Sequence, residues 1–280
     1  MSNFEVFSYG DSSLRLYRDA PAWNGKPCAA IGEFDFQDKA GAAALIEKVI
    51  AHISADGYHA ILGPMNGDTW HSYRAVIETD KSAPFMLEPV SGAYDLSCLQ
   101  NAGFKAVSHY HSNRALLKDT LTETPAAIDG VEITQWDGKN GDALVDHIFA
   151  MSKDSFAKNK FFKPVTSESF RDLYIPLLSA IDPRFVLIAK HHSGSICGFL
   201  FGFPDGSAPD DNPTIILKTY ASGIRGVGYA LADYFHRTAL EAGFQSVIHA
   251  LMHEDNASLQ RSQQHNAVTF RRYALLARVL

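Results

Sequence analysis

The chain has 280 residues, of which 46% are hydrophobic and 20% charged, and its formal net charge is −6. Its length allows one large core or two cores of ordinary domain size, and the usual domain size favours two. The acidic balance and the lack of a Lys/Arg cluster argue against nucleic-acid binding. No basic segment precedes an apolar one and no apolar run has bilayer length, so we expect a cytoplasmic protein with no membrane partner.

Three cysteines, Cys28, Cys98 and Cys197, lie among apolar residues and show no metal-ligand spacing. Their odd number and their setting predict buried thiols of a reducing compartment. The histidines at 191–192 and at 109 and 111 also lack partners at metal-ligand spacing, so we expect no bound metal.

The first half of the chain alternates strands and helices. Asp38 is a candidate N-cap, and apolar residues recur at helical spacing after it until Gly57. The polar stretch 118–129 lacks periodicity and predicts a linker. The predicted elements of this half are strands over 14–17, 28–36, 58–62 and 104–111, and helices over 38–57 and 94–100.

The second half contains more elements, and their order is regular. An antiparallel hairpin is predicted around the turn at Gly194, and Gly243 is a natural helix end. The predicted strands cover 131–136, 185–189, 196–203, 214–221, 246–252 and 268–275, and the predicted helices cover 142–156, 168–181, 231–242 and 256–264.

The most informative stretch is the glycine-rich turn that joins the strand over 214–221 to the next helix. Such a turn aims unpaired backbone N–H groups and the positive end of the helix at one point, which favours a phosphate or pyrophosphate. The dinucleotide fingerprint G-x-G-x-x-G fails because its third glycine is Leu231. The Gly-Lys-Ser/Thr ending of nucleotide-triphosphate loops is absent as well.

The turn fits the pattern R-x-x-G-x-A, with Arg225, Gly228 and Ala230 in its defined positions. This pattern resembles the pyrophosphate turn of the GNAT (GCN5-related N-acetyltransferase) superfamily. The order of elements from Val131 to Leu280 is similar to that of the superfamily, with the hexamer after the fourth strand. Without that context, a plain strand–turn–helix joint is an equal alternative for the hexamer.

The resemblance implies an α/β fold with a mixed α+β sheet and acetyl-CoA, or another acyl form of coenzyme A, as cofactor. It also implies that the fourth and fifth strands splay apart, so that backbone amides along the gap serve the thioester and pantetheine. Asn256 resembles an asparagine that lies along the pantetheine. The cofactor-binding residues implied in this chain are Thr219, Tyr220, Ala221, Arg225, Gly226, Val227, Gly228, Tyr229, Ala230 and Asn256.

The first half is similar to a shortened version of the same order, including a Leu99-x-x-Ala102-Gly103-Phe104 ending. At the position of the turn arginine it carries Asp38, whose carboxylate would repel a pyrophosphate. We therefore interpret residues 1–120 as a degenerate GNAT-like repeat and residues 130–280 as the acyl-CoA-binding GNAT domain.

The catalytic groups depart from the superfamily pattern. The fourth strand lacks the glutamate that several members carry, so Glu254 and His253 are the nearest candidate bases; helix capping by Glu254 and proton loss to solvent are alternatives. The position of the tyrosine acid of many members is Ser262 here, which is also interpretable as an ordinary helix residue.

The segment Gly63-Pro64-Met65-Asn66 resembles one found in an uncharacterised branch of tandem GNAT proteins. Polar and aromatic residues follow it, and they form either an acceptor pocket between the halves or loop anchors. In the first case, Glu88 or Glu33 would hold a cationic amine. The residues concerned are Trp70, His71, Tyr73, Arg74, Glu88 and Tyr94.

The resemblance implies an acyl-CoA-dependent N-acyltransferase, with acetyl as the favoured group, that transfers directly to a small-molecule amine in a ternary complex. A catalytically silent coenzyme A sensor is one alternative. An aminoacyl-tRNA-dependent transferase is another, which the acidic net charge disfavours. A monomer or a homodimer is expected.

Overall fold

The structure, a computed structural model, describes residues 4–280. Within this range the chain forms twelve strands and six α-helices, and the strand pairs are both parallel and antiparallel. The mixed α/β class predicted from the sequence is confirmed. The chain divides into two compact units: unit 1 comprises residues up to His111 with Lys158–Lys163 and Arg271–Leu280, and unit 2 comprises Ser112–Ala157 and Pro164–Phe270.

In chain order the elements are β1 (Phe4–Tyr9), β2 (Ser12–Tyr17), β3 (Cys28–Asp35), α1 (Lys39–Ile53), β4 (Ala60–Gly63), β5 (Ala75–Thr79), α2 (Asp95–Asn101), β6 (Lys105–Leu116), β7 (Val131–Gln135), α3 (Gly141–Phe156), α4 (Ser167–Tyr174), β8 (Val186–His191), β9 (Ile196–Pro204), β10 (Thr214–Ser222), α5 (Val227–Glu241), β11 (Ser246–His253), α6 (Ala257–Gln264) and β12 (Val268–Val279).

Unit 1 places its strands in the order β1-β2-β3-β4-β12, and β5 pairs with β12 as well. The β3–β4 pair is parallel, and the other pairs of this order are antiparallel. Helix α1 begins at Asp38, whose carboxylate accepts a 2.7 Å hydrogen bond from the Gly41 amide. One apolar face of α1 is buried in the core of this unit: Leu45, Ile46, Val49, Ile50 and Ile53.

Unit 2 places its strands in the order β11-β10-β9-β8-β7. The β10–β11 pair is parallel, whereas β7, β8, β9 and β10 pair antiparallel, and β8–β9 is the predicted hairpin. Helix α5 packs over β9 and β10. Its buried side of Val227, Leu231, Phe235 and Ala239 joins the strand residues in one hydrophobic core.

Several elements differ from the sequence prediction. The helix predicted over 168–181 ends at Tyr174, because Pro176 turns the chain into a 3₁₀-helix over Ile175–Ala180. β5 was not predicted, because its five residues do not alternate between apolar and polar side chains. The last strand runs four residues beyond the predicted end at 275, to Val279.

The three cysteines are free and buried, as predicted. Burial raises the pKa of the Cys28 and Cys197 thiols. Among residues 4–280, no group of three metal-ligating side chains comes together. In the same part of the chain, no helix combines the length and the apolar character that crossing a bilayer requires.

Gly202 of β9 is required by the packing of α5. A Cβ atom at Gly202 would lie 2.5 Å from Phe235 Cε2 and 2.5 Å from the carbonyl oxygen of Ile216. Both neighbours belong to the buried core, so neither can move away freely.

We therefore expect Gly202→Ala to lower the free energy of unfolding by about 1–3 kcal/mol through overpacking. Urea denaturation measures this loss. Gly206→Ala is the matched control, because a Cβ atom there meets nothing within 4 Å. Equal stability of the two variants would contradict this account of the β9–α5 contact.

Candidate functional site

The glycine-rich turn of unit 2 requires glycine at two positions. Gly226 is the N-cap of α5 with φ +91°, a conformation that side chains disfavour. A Cβ atom at Gly228 would lie 3.0 Å from the ring of Tyr220. The turn thus brings bare backbone against Tyr220 at the first residues of the helix.

The turn leaves backbone donors available for a ligand. The amides of Val227, Tyr229 and Ala230 bond to carbonyl oxygens within the turn. Among the described residues, no backbone acceptor is found for the amides of Gly226 and Gly228. These donors lie at a helix N-terminus, where the helix dipole adds positive potential, so the turn can bind an anion.

Two arginines add positive charge near the turn. Arg225 is exposed, and the guanidinium of Arg261, on α6, lies 6.0 Å from the ring centre of Tyr229. Burial raises the pKa of the Tyr220 phenol, although Arg261 opposes this shift. Sequence reasoning missed Arg261 because it is 31 residues beyond Ala230 and belongs to no motif; only the fold brings it to the turn.

β10 and β11 separate beside the turn. Their parallel pairing covers Thr214–Leu217 and Ser246–His249 and then ends, although β10 continues to Ser222 and β11 to His253. A bulge at Lys218 shifts the β9–β10 register at the same level. The predicted residues Thr219, Tyr220 and Ala221 therefore lie on the part of β10 that no longer pairs with β11. Alternate N–H groups along such an edge are open to a ligand.

Asn256 lies at the beginning of α6, three residues after the end of β11. It is the N-cap of this helix, it is exposed, and its side chain makes no capping hydrogen bond. An asparagine at this position usually caps with its side-chain oxygen. Here the amide is left available for another polar group.

The two candidate bases lie at the end of β11, where His253 is the last residue of the strand and Glu254 follows it. His253 Nδ1 accepts a 3.1 Å hydrogen bond from the Asp255 amide. A neutral His253 therefore carries its proton on Nε2, and its only lone pair is already engaged. Glu254 is exposed in the turn before α6, whose N-cap is Asn256.

Ser262, the candidate acid, is buried in a polar network of unit 2. Its Oγ lies 2.7 Å from His249 Nδ1 and accepts a 3.0 Å hydrogen bond from Nδ2 of the Asn113 side chain. His249 Nε2 lies 3.0 Å from His236 Nε2, and both imidazoles are buried. Two arrangements satisfy these contacts with neutral rings: Ser262 donates to His249 Nδ1 and His249 Nε2 donates to His236, or both hydrogen bonds run in the opposite direction.

The environment keeps both imidazoles neutral. Burial lowers the pKa of His236 well below its usual range and that of His249 to about 3, and neighbouring histidines lower both further. His265 is half-buried beside them, and burial lowers its pKa as well. The hydroxyl of Ser262 thus belongs to a neutral network, which makes it a weak proton donor.

The histidine network predicts a loss of stability in acid. The pKa of each of these histidines is lower in the folded protein than in the unfolded chain. As the pH falls, the unfolded chain therefore binds a proton at a higher pH than the folded protein does. The stabilisation is complete above about pH 6.5 and falls as the pH decreases, by about 1.4 kcal/mol per pH unit for each such histidine. Urea denaturation between pH 7 and pH 5 measures this slope.

His249→Gln should make that slope shallower by about one proton's contribution, whatever its effect on stability at pH 7. His192→Gln, at an exposed position, is the control and should leave the slope unchanged. An unchanged slope in His249→Gln would show that the network does not stay neutral in the folded protein.

The polar and aromatic residues singled out in the first half lie in unit 1. Asp68 accepts hydrogen bonds from the amides of Trp70 and His71 and from His71 Nδ1 at 2.7 Å. The hydrogen bond to Asp68 raises the pKa of His71. Burial acts to raise the pKa of Asp68, but its hydrogen bonds and the charge of His71 outweigh burial and lower this pKa. The Trp70 indole donates to the Lys163 carbonyl oxygen at 2.8 Å. These contacts hold the loop in place.

The two carboxylates expected to hold an amine are already engaged. Glu88 has a fully buried side chain that pairs with Arg271 and accepts a hydrogen bond from Tyr273. Glu33 pairs with Arg15 at 2.7 Å and accepts a hydrogen bond from the Tyr17 hydroxyl. The charge of Glu88 is therefore matched within the unit, and so is that of Glu33.

No protein-family model and no curated protein sequence matches the chain. Its structure is similar to those of several solved proteins. One is a GCN5-related N-acetyltransferase from Sphaerobacter thermophilus: 13% identity, TM-score 0.55, covering 95% of this chain and 76% of that one. Another is a tandem GNAT protein from the clavulanic acid biosynthesis pathway: 12% identity, TM-score 0.56, covering 96% and 78%.

A third is a GCN5-related N-acetyltransferase from Anabaena variabilis: 10% identity, TM-score 0.57, covering 99% of this chain and 62% of that one. The fold of the chain is thus the GNAT fold, as the R-x-x-G-x-A turn and the order of elements predicted. At these identities the likeness concerns the fold alone.

Proposed function

We propose that the protein is an acyl-CoA-dependent N-acyltransferase that uses acetyl-CoA and a small-molecule amine. The observation that carries the proposal is the bare N-terminal turn of α5, with its two free amides beside the gap between β10 and β11. An anion site next to an open strand edge suits a long ligand with phosphates at one end and amide groups along its length. The GNAT fold of the chain supports the same function.

The residues that would hold the cofactor all lie in unit 2. The amides of the 225–230 turn and the side chains of Arg225 and Arg261 would meet the pyrophosphate. The strand edge at 219–221 and the side-chain amide of Asn256, which makes no capping hydrogen bond, would contact the pantetheine arm. Bound in this way, acetyl-CoA supplies an activated thioester. In unit 1, by contrast, the carboxylate of Asp38 already occupies the N-terminus of α1, which disfavours a second phosphate site there.

The side chains of the chain suggest a simple way of moving protons. β10 carries no carboxylate, and His253 has its lone pair engaged. We therefore propose that the amine loses its proton to solvent and then attacks directly in a ternary complex. The exposed Glu254 is the remaining protein base, and Ser262 would act only through the neutral histidine network.

A coenzyme A sensor without catalysis is the second candidate. The burial of Ser262 and the absence of a carboxylate from β10 favour it. Incubation with acetyl-CoA and a panel of amines, with detection of free thiol, separates the two functions. Amine-dependent thiol release supports the transferase, and binding without release supports the sensor.

Gly228→Glu should abolish binding of acetyl-CoA. The new side chain would contact Tyr220 and place a carboxylate where the phosphates are proposed to bind. Isothermal titration calorimetry measures the loss. Gly206→Glu adds the same charge in open space and should leave the affinity within about twofold; equal losses in both variants would exclude a specific site at the turn.

Glu254→Gln should lower kcat/KM by less than tenfold, since solvent is proposed to take the proton. A dedicated base typically contributes about 10²–10⁴-fold. The pH profile provides the second readout: with proton loss to solvent, kcat/KM rises with pH up to the pKa of the amine. A hundredfold fall with an unchanged melting temperature would instead establish Glu254 as the base.

A further inference from the structure

Unit 1 contains a buried cation without an anion. Arg74 is 9% exposed, and its Nε and Nη1 atoms have no hydrogen-bond partner among the described residues. Its Nη2 atom donates to the Tyr73 hydroxyl, which is a neutral group. A buried guanidinium normally has a carboxylate or several carbonyl oxygens around it, because an unmatched buried charge is costly.

The other buried arginine of unit 1 shows the usual arrangement. Arg271, whose side chain is 4% exposed, is matched by the buried carboxylate of Glu88 and also bonds to Ser82. Two carboxylates of unit 1 are paired with other cations: Asp68 with His71, and Glu33 of β3 with Arg15. An anion for Arg74 would therefore be a bound ligand.

Two tyrosine rings line the guanidinium of Arg74. The Tyr73 ring centre lies 3.9 Å from the guanidinium carbon, and the Tyr110 ring centre lies 3.8 Å from it. The two rings are perpendicular to each other with centres 5.7 Å apart, so they stand on adjacent sides of the guanidinium. The unpartnered Nε and Nη1 atoms remain as donors to an anion. A single guanidinium balances one negative charge, which favours a carboxylate over a phosphate dianion.

The loop holds Arg74 in this position. The Arg74 amide bonds to the Pro64 carbonyl oxygen at 2.9 Å, and the Asn66 amide bonds to the Ser72 carbonyl oxygen at 2.9 Å. Arg74 has φ +89°, an unfavourable value for a residue with a side chain. The segment Gly63-Pro64-Met65-Asn66 thus helps to hold Arg74 beside Tyr73 and Tyr110.

We propose that Arg74 forms a carboxylate-binding site in unit 1, with Tyr73 and Tyr110 as its walls. This binding site does not depend on the acyltransferase function proposed above.

The direct test uses acetate as the probe and acetamide as its neutral counterpart, with saturation-transfer difference NMR on the full chain. We expect a saturable signal for acetate and none for acetamide. Arg74→Met should lose the acetate signal. Arg272→Met, which removes an exposed arginine of unit 1 that pairs with Glu78, should keep it. An acetate signal in Arg74→Met equal to that of the wild type would overturn the site, as would a wild type that binds no acetate.

Two further measurements separate ligand binding from a structural role. Arg74→Met should not lower the melting temperature of the ligand-free protein, because it removes an unmatched buried charge. A fall of several degrees would identify Arg74 as a structural residue. Arg74→Lys keeps the charge but loses the planar donor edge, so we expect acetate to bind at least tenfold more weakly. Competition by inorganic phosphate as strong as that by acetate would contradict the preference for a planar monoanion.

Discussion

The parallel pairing of β10 and β11 stops after four residue pairs, and the candidate site of unit 2 depends on this separation. Had the strands paired to their ends, the amides along the end of β10 would be consumed by β11 and closed to any ligand. The bulge at Lys218 changes the register of β10 on its other side at the same level.

The glycine turn extends this geometry from the strand to the helix. Gly226 reverses the chain with a positive φ, and Gly228 brings backbone to van der Waals distance from Tyr220. Both features leave donors exposed at the positive end of α5, and Arg225 and Arg261 increase the potential there. Strand edge, helix end and cations thus lie in one unit, which explains why a phosphate-bearing acyl carrier is the best-supported ligand.

Much of this was accessible from the sequence, for physical reasons that differ between residues. The turn could be predicted because glycine and a helix start leave a local signature within six residues. The cap at Asp38 and the ends of α5 are local as well. Arg261, the histidine network and the pairing of Glu88 with Arg271 could not be predicted, because each joins residues that lie far apart in the chain. No periodicity records a contact over such separations.

The same limit applies to charge, and it bears on how the two units are interpreted. From the sequence, Glu88 and Glu33 were the groups of interest in unit 1, because an amine needs an anion. In the structure both carboxylates form ion pairs with arginines, whereas the cation Arg74 has no anionic partner among the described residues. A count of charges along the chain cannot reveal this, since what matters is which charges remain after every internal pair has formed. The charge expected of a ligand of unit 1 is therefore reversed: the buried group without a counter-charge is the cation Arg74, which favours an anionic ligand.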